Sequence, residues 1–252
     1  MIAAEWHPVP GVRALCTSRN GGASIAPWDS CNLGHHVGDA AHSVAENRRR
    51  LRASTSLPSE PRWLQQVHGN VVVDLDSIDV AGIPVADAAV SVVPGTICAV
   101  LAADCLPVLL AASDGSAVGA AHAGWRGLAA GVIESTVHAL RQRIASGTQL
   151  LAFLGPAISV AHFEVGDEVR DAFLAVDVAA AAAFLPGASN RWQCDLYALA
   201  RLRLAALGIT TVAGGGLCTY AQPDRFFSHR RDVQHLGLAS TGRMASLIWR
   251  QM

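Results

Sequence analysis

The chain of 252 residues contains no lysine, since all 19 of its basic residues are arginines. This absence excludes Schiff-base chemistry, pyridoxal-phosphate enzymes and a P-loop, because each depends on a lysine amine that arginine does not replace. Any anion that the protein binds must therefore be held by arginine side chains or by backbone N–H groups.

An excess of charge of either sign is also missing. The formal net charge is -1, and only 15% of the residues are charged. A basic surface that attracts nucleic acid or an anionic membrane is therefore not expected. The six cysteines stand in a chain with 51% hydrophobic residues, which is enough for a large core, so they are predicted to be reduced thiols.

Targeting signals are not recognised either. The first ten residues lack a basic segment followed by an apolar run, which predicts no signal peptide and a cytoplasmic location. Two uncharged stretches, 144–163 and 204–223, reach the length that spans a membrane, but Gly-Pro interrupts the first and three consecutive glycines interrupt the second. Both are therefore predicted to be buried core, with no membrane partner.

Neither an internal repeat nor a linker divides the chain, so residues 1–252 are predicted to form a single domain. The patterns predict a strand over 12–18, a glycine-rich loop over 20–38 and a helix capped by Asp39. Further strands are predicted over 63–67, 71–75, 97–103, 107–112, 116–122 and 150–154, and further helices over 128–144, 165–176 and 194–207. Because the elements do not follow a regular βαβ rhythm, the predicted class is α/β or α+β with a mixed sheet.

One hairpin predicts a juxtaposition of side chains. If Asp114-Gly115 is a two-residue turn, Pro107 faces His122 across the hairpin. Side chains alternate between the two faces of a strand, so Cys105 and His122 project from the same face as diagonal neighbours. Such neighbours lie about 7–8 Å apart between Cα atoms, close enough for a shared metal ion or a thiol–imidazole contact.

A second imidazole is available at His68, where a predicted strand ends in Gly69. Two histidines and one cysteine suit zinc or copper better than magnesium or calcium, and three protein ligands leave one coordination position open. The spacing alone is equally consistent with a buried structural Cys105 and a structural His68.

The neighbours of these residues extend the hypothesis. Asp104, next to Cys105, is a candidate for orienting an imidazole or carrying a proton, or else an exposed acid at a strand end. Arg126 lies in a glycine-flanked segment that leads into a predicted helix, a setting typical of anion sites but also of an ordinary turn. Arg48 and Arg230 belong to arginine runs that either face solvent or bind a phosphate.

Seven short blocks resemble, in order along nearly the whole chain, the laccase-domain family, also called the multicopper polyphenol oxidoreductase or purine nucleoside phosphorylase family. They are Cys31-Asn32-Leu33-Gly34 with His36-Val37-Gly38-Asp39 and Asn47-Arg48, Gln66-Val67-His68-Gly69, Ala103-Asp104-Cys105-Leu106-Pro107-Val108, His122-Ala123-Gly124-Trp125-Arg126-Gly127, Gly155-Pro156-Ala157-Ile158, Phe163-Glu164-Val165-Gly166 and Phe227-Ser228-His229-Arg230-Arg231. One departure is His162, since the family often has a cysteine just ahead of the block that begins at Phe163.

The resemblance implies a layered α-β-β-α fold, similar to that of a toxin deamidase with a Cys–His site. It implies a metal, usually zinc, held by His68, Cys105 and His122. The activities it implies are phosphorolysis of adenosine, inosine, guanosine and methylthioadenosine, adenosine deamination, a laccase activity with copper, and a role in peptidoglycan editing. The predicted site has catalytic residues Asp104, Cys105, His122 and Arg126, and substrate contacts at Asn47, Arg48, Gln66, Ser228, His229 and Arg230.

Among these activities, purine chemistry fits the sequence best. A copper cluster that reduces oxygen is rich in paired histidines, and no His-x-His stands in the chain. We therefore predict a zinc-containing phosphorylase and adenosine deaminase that binds purine nucleosides and phosphate as a monomer or weak homodimer. The alternatives are a copper polyphenol oxidase, a metal-free hydrolase of peptidoglycan precursors with Cys105 as nucleophile and His122 as base, and a non-catalytic metal-stabilised binding module.

Overall fold

The computed structural model of the protein describes residues 2–3, 9–77, 82–188 and 190–252. The strands are β1 (Ile2–Ala3), β2 (Val12–Cys16), β3 (Val72–Asp74), β4 (Ala88–Ser91), β5 (Ile97–Ala102), β6 (Leu106–Ala112), β7 (Val118–Ala123), β8 (Leu150–Leu154), β9 (Glu164–Val165), β10 (Phe184–Pro186), β11 (Trp192–Cys194), β12 (Val212–Gly214) and β13 (Met244–Arg250). The α-helices are α1 (Ala41–Thr55), α2 (Trp125–Ala129), α3 (Val132–Arg141), α4 (Asp167–Leu174) and α5 (Leu196–Ala206). A π-helical turn spans Arg230–His235.

Two of the three sheets in the described ranges form the centre of the molecule. The six-stranded sheet has the order β12-β8-β6-β7-β4-β3 and is mixed, because its two outermost pairs are parallel and its inner pairs antiparallel. The four-stranded sheet has the order β1-β2-β13-β5 and is antiparallel throughout. A small antiparallel sheet of β10, β11 and β9 completes the set.

Alternation along the strands determines how the layers pack. In β6, Leu109 and Ala111 pack against residues of the four-stranded sheet, whereas Val108 and Leu110 pack with the helices on the other face. Because both faces are covered, β6 is apolar and buried throughout. The two sheets therefore lie face to face between outer helices.

The outer layers follow from two apolar helix faces. Leu51 of α1 packs with Ile97 and Leu247 on the outer face of the four-stranded sheet. On the outer face of the six-stranded sheet, α3 and α5 bury residues such as Ile133 and Leu199. The order of layers is thus α-β-β-α, and the predicted fold class is confirmed.

Several predicted elements need correction. The predicted helix 128–144 is two helices, because Gly131 adopts a left-handed φ of 88° between α2 and α3. Asp39 is not the N-cap of α1, because Ala40 holds that position. The carboxylate of Asp39 instead accepts hydrogen bonds from Ser24 and Asn32 and so fixes the glycine-rich loop. Segment 63–67 is not a strand, because it makes a single isolated bridge, from Gln65 to Val85, instead of a ladder of backbone hydrogen bonds.

In the part of the chain that the structure describes, no helix is both long and apolar enough to cross a membrane. The uncharged stretches 144–163 and 204–223 contain strands β8 and β12, which pair with each other in parallel in the six-stranded sheet.

Candidate metal centre and substrate cavity

The hairpin of β6 and β7 has the register predicted from its turn. Pro107 pairs with His122, and Leu106 with Ala123. Cys105 directly precedes β6, so its side chain lies on the same face as that of His122, at the end of the hairpin away from the Asp114-Gly115 turn. The predicted proximity of this thiol and this imidazole is confirmed.

His68 reaches the same point from a separate loop. The donor atoms of His68, Cys105 and His122 all lie within 4.8 Å of one another, and the two imidazole rings are 4.9 Å apart between centroids. Within the described ranges this is the one group of three or more histidine, cysteine or acidic side chains placed to hold a metal ion. His122 is buried whereas His68 is exposed, so the cluster is open on the side of His68.

Two glycines allow this close approach. A Cβ atom at Gly124 would lie 2.8 Å from the Cys105 Sγ and 3.3 Å from the His68 ring. A Cβ atom at Gly127 would lie 2.7 Å from the carbonyl oxygen of Gly69. The glycines of the block that begins at His122 therefore leave room for the thiol and for the loop that carries His68.

A buried carboxylate lies behind the two histidines. Asp87, which is 0% exposed, accepts a hydrogen bond from the Nδ1 of His122 at 2.9 Å. The same carboxylate accepts the backbone N–H groups of Val67, His68 and Gly69 at 3.1, 2.9 and 2.7 Å. With Nδ1 committed to Asp87, His122 has Nε2 available for a ligand.

The electrostatics of the cluster favour a thiolate. Burial by itself raises the pKa of Cys105, but the charge and hydrogen bonds of His122 and His68 outweigh it and lower this pKa to about 6. Burial by itself lowers the pKa of His122, but Cys105 and Asp87 raise it to about 9. The two shifts describe one pair, in which the Cys105 thiolate and the His122 imidazolium stabilise each other and Asp87 adds to the stabilisation of the imidazolium.

The open side of the cluster faces a cavity of about 370 Å³. This volume lies within the range of about 300–1,000 Å³ found for small-molecule sites. The lining combines apolar and aromatic side chains with polar and basic ones. The lining residues are His36, Gln66, His68, Leu101, Ala102, Ala103, Asp104, Cys105, His122, Trp125, Arg126, Ile158, Phe163, Leu196, His229, Arg230, Gln234 and Arg243.

Three arginines on this lining have no acidic partner. Arg126 stacks on Trp125, Arg230 lies over Phe163, and Arg243 donates to the carbonyl oxygens of residues 241 and 242. None of the three forms an ion pair with a carboxylate of the described residues. The cavity is therefore a positively charged place next to a cluster of metal ligands.

Three hydrogen bonds fix the carboxylate of Asp104, one of the predicted catalytic residues. It has a left-handed φ of 87°, and its carboxylate accepts hydrogen bonds from Thr219 at 2.6 Å, Ser228 at 3.0 Å and the backbone N–H of Arg230 at 2.7 Å. This network joins the segment before β6 to the turn that carries His229 and Arg230. Ser228 is fully buried within the network and is absent from the cavity lining.

The other predicted substrate contacts divide into two groups. Gln66, His229 and Arg230 line the cavity, and the Gln66 amide is bonded to the backbone of Leu101. Asn47 and Arg48 do not line it: the buried Asn47 amide binds residues of the glycine-rich loop, and Arg48 stacks on Trp63 while donating to Leu33. The contacts proposed for Asn47 and Arg48 stay predictions, and these positions give them no support.

Sequence reasoning missed Asp87 and Arg243. Asp87 is the one acid in an otherwise apolar and uncharged segment, 82–93, which is a signal that a buried carboxylate has a specific partner. Arg243 belongs to no recognisable sequence motif. It directly precedes β13, and the pairing of β13 with the distant strand β5 brings its side chain to the cavity. His162, the departure noted above, stacks on Tyr220 with 4.4 Å between ring centroids and does not line the cavity.

Fold and site together describe an α/β protein that places a His-Cys-His cluster at one end of an arginine-lined cavity. A family model described as multi-copper polyphenol oxidoreductase laccase matches residues 13–251. The chain belongs to this family.

Relatives and solved structures agree over almost the full length. The chain is 49% identical over 249 residues to the purine nucleoside phosphorylase YfiH of Escherichia coli, covering 99% of this chain and 98% of the relative. It is 49% identical over 251 residues to a purine nucleoside phosphorylase of Pseudomonas aeruginosa, with the same coverage. The crystal structure of protein NMB0706 from Neisseria meningitidis superposes with a TM-score of 0.91 at 45% identity, covering 100% of this chain and 99% of that one. The crystal structure of a hypothetical protein YfiH from Bacillus licheniformis superposes with a TM-score of 0.88 at 30% identity, covering 95% of this chain and 93% of that one.

Proposed function

We propose that this protein is a metal-dependent purine nucleoside phosphorylase that acts on adenosine, inosine, guanosine and methylthioadenosine. The observation that carries the proposal is the convergence of His68, Cys105 and His122 at one end of a cavity lined by three arginines without acidic partners. The names of the relatives from Escherichia coli and Pseudomonas aeruginosa support it.

The metal would be held by His68, Cys105 and His122. Two imidazole nitrogens and one thiolate suit zinc, with copper as the alternative, and Gly124 keeps the space next to the thiol clear. When bound with one open position, zinc supplies Lewis acidity and lowers the pKa of a bound water. The chain's own part is to hold the thiol as a thiolate and to keep His122 oriented through Asp87.

Phosphate would be held by Arg126, Arg230 and Arg243. Guanidinium groups bind phosphate oxygens through paired, charge-assisted hydrogen bonds, which are stronger in a cavity that excludes bulk water. In the reaction the C1′–N9 bond of the nucleoside breaks and its electron pair leaves with the purine, while an oxygen of hydrogen phosphate bonds to C1′ and the proton that the phosphate gives up ends on the purine. The products are the free base and ribose 1-phosphate, or methylthioribose 1-phosphate from methylthioadenosine, and the arginines would keep the attacking oxygen in place.

The purine would contact the apolar residues of the lining. Trp125, Ile158, Phe163 and Leu196 are among them. A flat heteroaromatic base gains from contact with aromatic and aliphatic surface. Arg126 lies over Trp125 and Arg230 over Phe163, so a base on these residues would lie close to the arginines that would hold phosphate.

Adenosine deamination is the second activity, favoured by the mixed imidazole and thiolate donor set, which resembles that of zinc deaminases. Water replaces the C6 amino group, yielding inosine and ammonia. Asp104 is the predicted proton carrier, and its carboxylate already accepts three hydrogen bonds. We therefore assign Asp104 mainly to holding the turn that carries Arg230. Copper-dependent polyphenol oxidation is disfavoured, because the described residues offer one cluster of ligands rather than several.

The test is an assay of the purified protein on inosine, with elemental analysis of the same preparation. We expect hypoxanthine and ribose 1-phosphate only when phosphate is present, and stoichiometric zinc. Cys105→Ala should reduce kcat/KM by more than about 100-fold, because even removing a group that only orients a ligand costs about 10–100-fold. Cys98→Ala, which alters a buried thiol between the sheets, is the matched control and should retain activity.

Other outcomes would contradict the proposal. Cleavage that is independent of phosphate, or full activity of Cys105→Ala, would overturn it. A metal-free protein with a rapidly alkylated Cys105 would instead indicate the Cys–His hydrolase, and peptidoglycan precursors would then be assayed.

A further inference from the structure

Asp87 sits at the junction of the two elements that bring the histidines together. It directly precedes β4, the neighbour of β7 in the six-stranded sheet, and its side chain is completely buried. A fully buried carboxylate is costly unless its oxygens are hydrogen-bonded. The partners of Asp87 therefore indicate why an acid is placed there.

The two oxygens of Asp87 together bind both histidine segments, and Oδ1 is shared between them. Oδ1 accepts the backbone N–H of His68 at 2.9 Å and the Nδ1–H of His122 at 2.9 Å. Oδ2 accepts the N–H groups of Val67 at 3.1 Å and Gly69 at 2.7 Å. The backbone N–H of His122 also donates to the carbonyl oxygen of Asp87 at 2.7 Å.

The loop needs such a partner because of its backbone conformation. His68 has a φ of 61°, in the left-handed region that residues with a Cβ atom rarely adopt. Three consecutive N–H groups turned towards one anionic carboxylate form a concave binding arrangement that holds this conformation. The same carboxylate fixes the ring of His122, so that Nε2 is the nitrogen left for a ligand.

We infer that Asp87 is a positioning residue that sets both histidine ligands at once, so that metal affinity depends on this one carboxylate. The inference rests on the proposed function only for the presence of the metal. Asp87 itself belongs neither to the cavity lining nor to the cluster of candidate metal ligands. Its effect passes through the backbone of His68 and the ring of His122.

Asp76 offers a matched control at the other end of β4. Its carboxylate is also nearly buried and accepts hydrogen bonds from the Ser91 hydroxyl at 2.6 Å and the Val92 N–H at 2.7 Å. It lies away from the cavity, near Arg143. Asp76→Asn and Asp87→Asn thus remove the same charge from two buried carboxylates that flank the same strand.

The experiment measures zinc affinity of the full chain by competition with a chromogenic chelator, together with the Tm of the metal-free forms. We expect Asp87→Asn to bind zinc about 10–100-fold more weakly than the wild type, because the new amide turns an N–H donor towards other donors. Asp76→Asn should lower the Tm while its zinc affinity stays within twofold of the wild type. A cobalt-loaded sample adds a signature of geometry, since its visible spectrum should change in the Asp87 variant and not in the control.

Asp87→Glu covers the case in which the asparagine variant does not fold. It keeps the charge but displaces the carboxylate by one methylene, and it should also weaken zinc binding about tenfold or more. Zinc affinity within twofold of the wild type in whichever Asp87 variant folds, with an unchanged cobalt spectrum, would overturn the inference. A wild-type protein that binds no zinc would instead overturn the metal assignment in the proposed function, so the two failures are distinguishable.

Discussion

Two groups of side chains on the cavity lining satisfy their polar atoms in opposite ways. The ring of His122 and the loop that carries His68 are tied to Asp87 by short internal hydrogen bonds. Arg126, Arg230 and Arg243 contact aromatic rings and carbonyl oxygens but form no ion pair with the described acidic groups. The ligand cluster thus has a buried carboxylate as its partner, whereas the arginines have no carboxylate within ion-pair distance.

This difference shows what each group is suited to bind. A preorganised thiolate and an imidazole oriented by Asp87 lose little freedom when a cation binds between them. Guanidinium groups without an ion-pair partner in a partly closed cavity favour an anion. Phosphate would satisfy the arginines, and a metal ion would satisfy the ligand cluster.

After the loss expected for Cys105→Ala, the largest effect tests the arginines of the cavity. Arg243→Ala should reduce kcat/KM for phosphate by about 10–100-fold, because a hydrogen bond to a charged group contributes about 1.5–3 kcal/mol. Arg126 is exposed, so Arg126→Ala should cost less. Steady-state kinetics with varied phosphate measures both. Arg48→Ala is the control outside the cavity and should leave the phosphate KM unchanged, whereas a larger effect at Arg48 than at Arg243 would reverse the assignment.

A middle-sized effect tests the crowding at the cluster. Gly124→Ala places a methyl group 2.8 Å from the Cys105 Sγ, so the thiol must shift and zinc affinity should fall about tenfold. Chelator competition measures this. Gly147→Ala is a control in an open turn, where added strain at a φ of 87° lowers stability without reaching the cluster. Unchanged zinc binding by Gly124→Ala would show that the three metal-ligand side chains do not pack closely against this glycine.

The smallest effect tests the apolar residues of the cavity lining. Phe163→Ala should raise the KM for inosine about fivefold, since stacking of a base on an aromatic ring contributes about 1–3 kcal/mol. The KM for phosphate should change little. Phe163→Tyr keeps the ring and should behave like the wild type; an equal loss in both variants, or a change confined to phosphate, would place the base elsewhere.

The hairpin is the part of the site that could be predicted from the sequence. Local rules suffice there, because a two-residue turn determines the register, and the register determines that Cys105 and His122 share a face. The sequence also predicts strand β8 with its observed limits, 150–154, because this short apolar run stands between polar residues and a Gly-Pro pair that ends it.

Partners from distant segments could not be predicted in this way. Strand β13, which joins β2 and β5 in the four-stranded sheet, was not predicted, because its pairing connects the two ends of the chain. Asp87 and Arg243 were missed for the same reason. Asn47 and Arg48 were expected at the substrate, yet α1 lies on the outer face of the four-stranded sheet and directs them to the glycine-rich loop.

The sequence by itself determined the chemical inventory of this protein: arginine as its only strong cation, a thiol and an imidazole on one hairpin face, and glycines where the chain must pass close to them. Only the tertiary structure decided which carboxylate orients the histidines and which arginines face the cavity. The reason is that alternation and turn geometry act over a few residues, whereas the sandwich of two sheets brings together loops from segments near 68, 104, 124, 230 and 243.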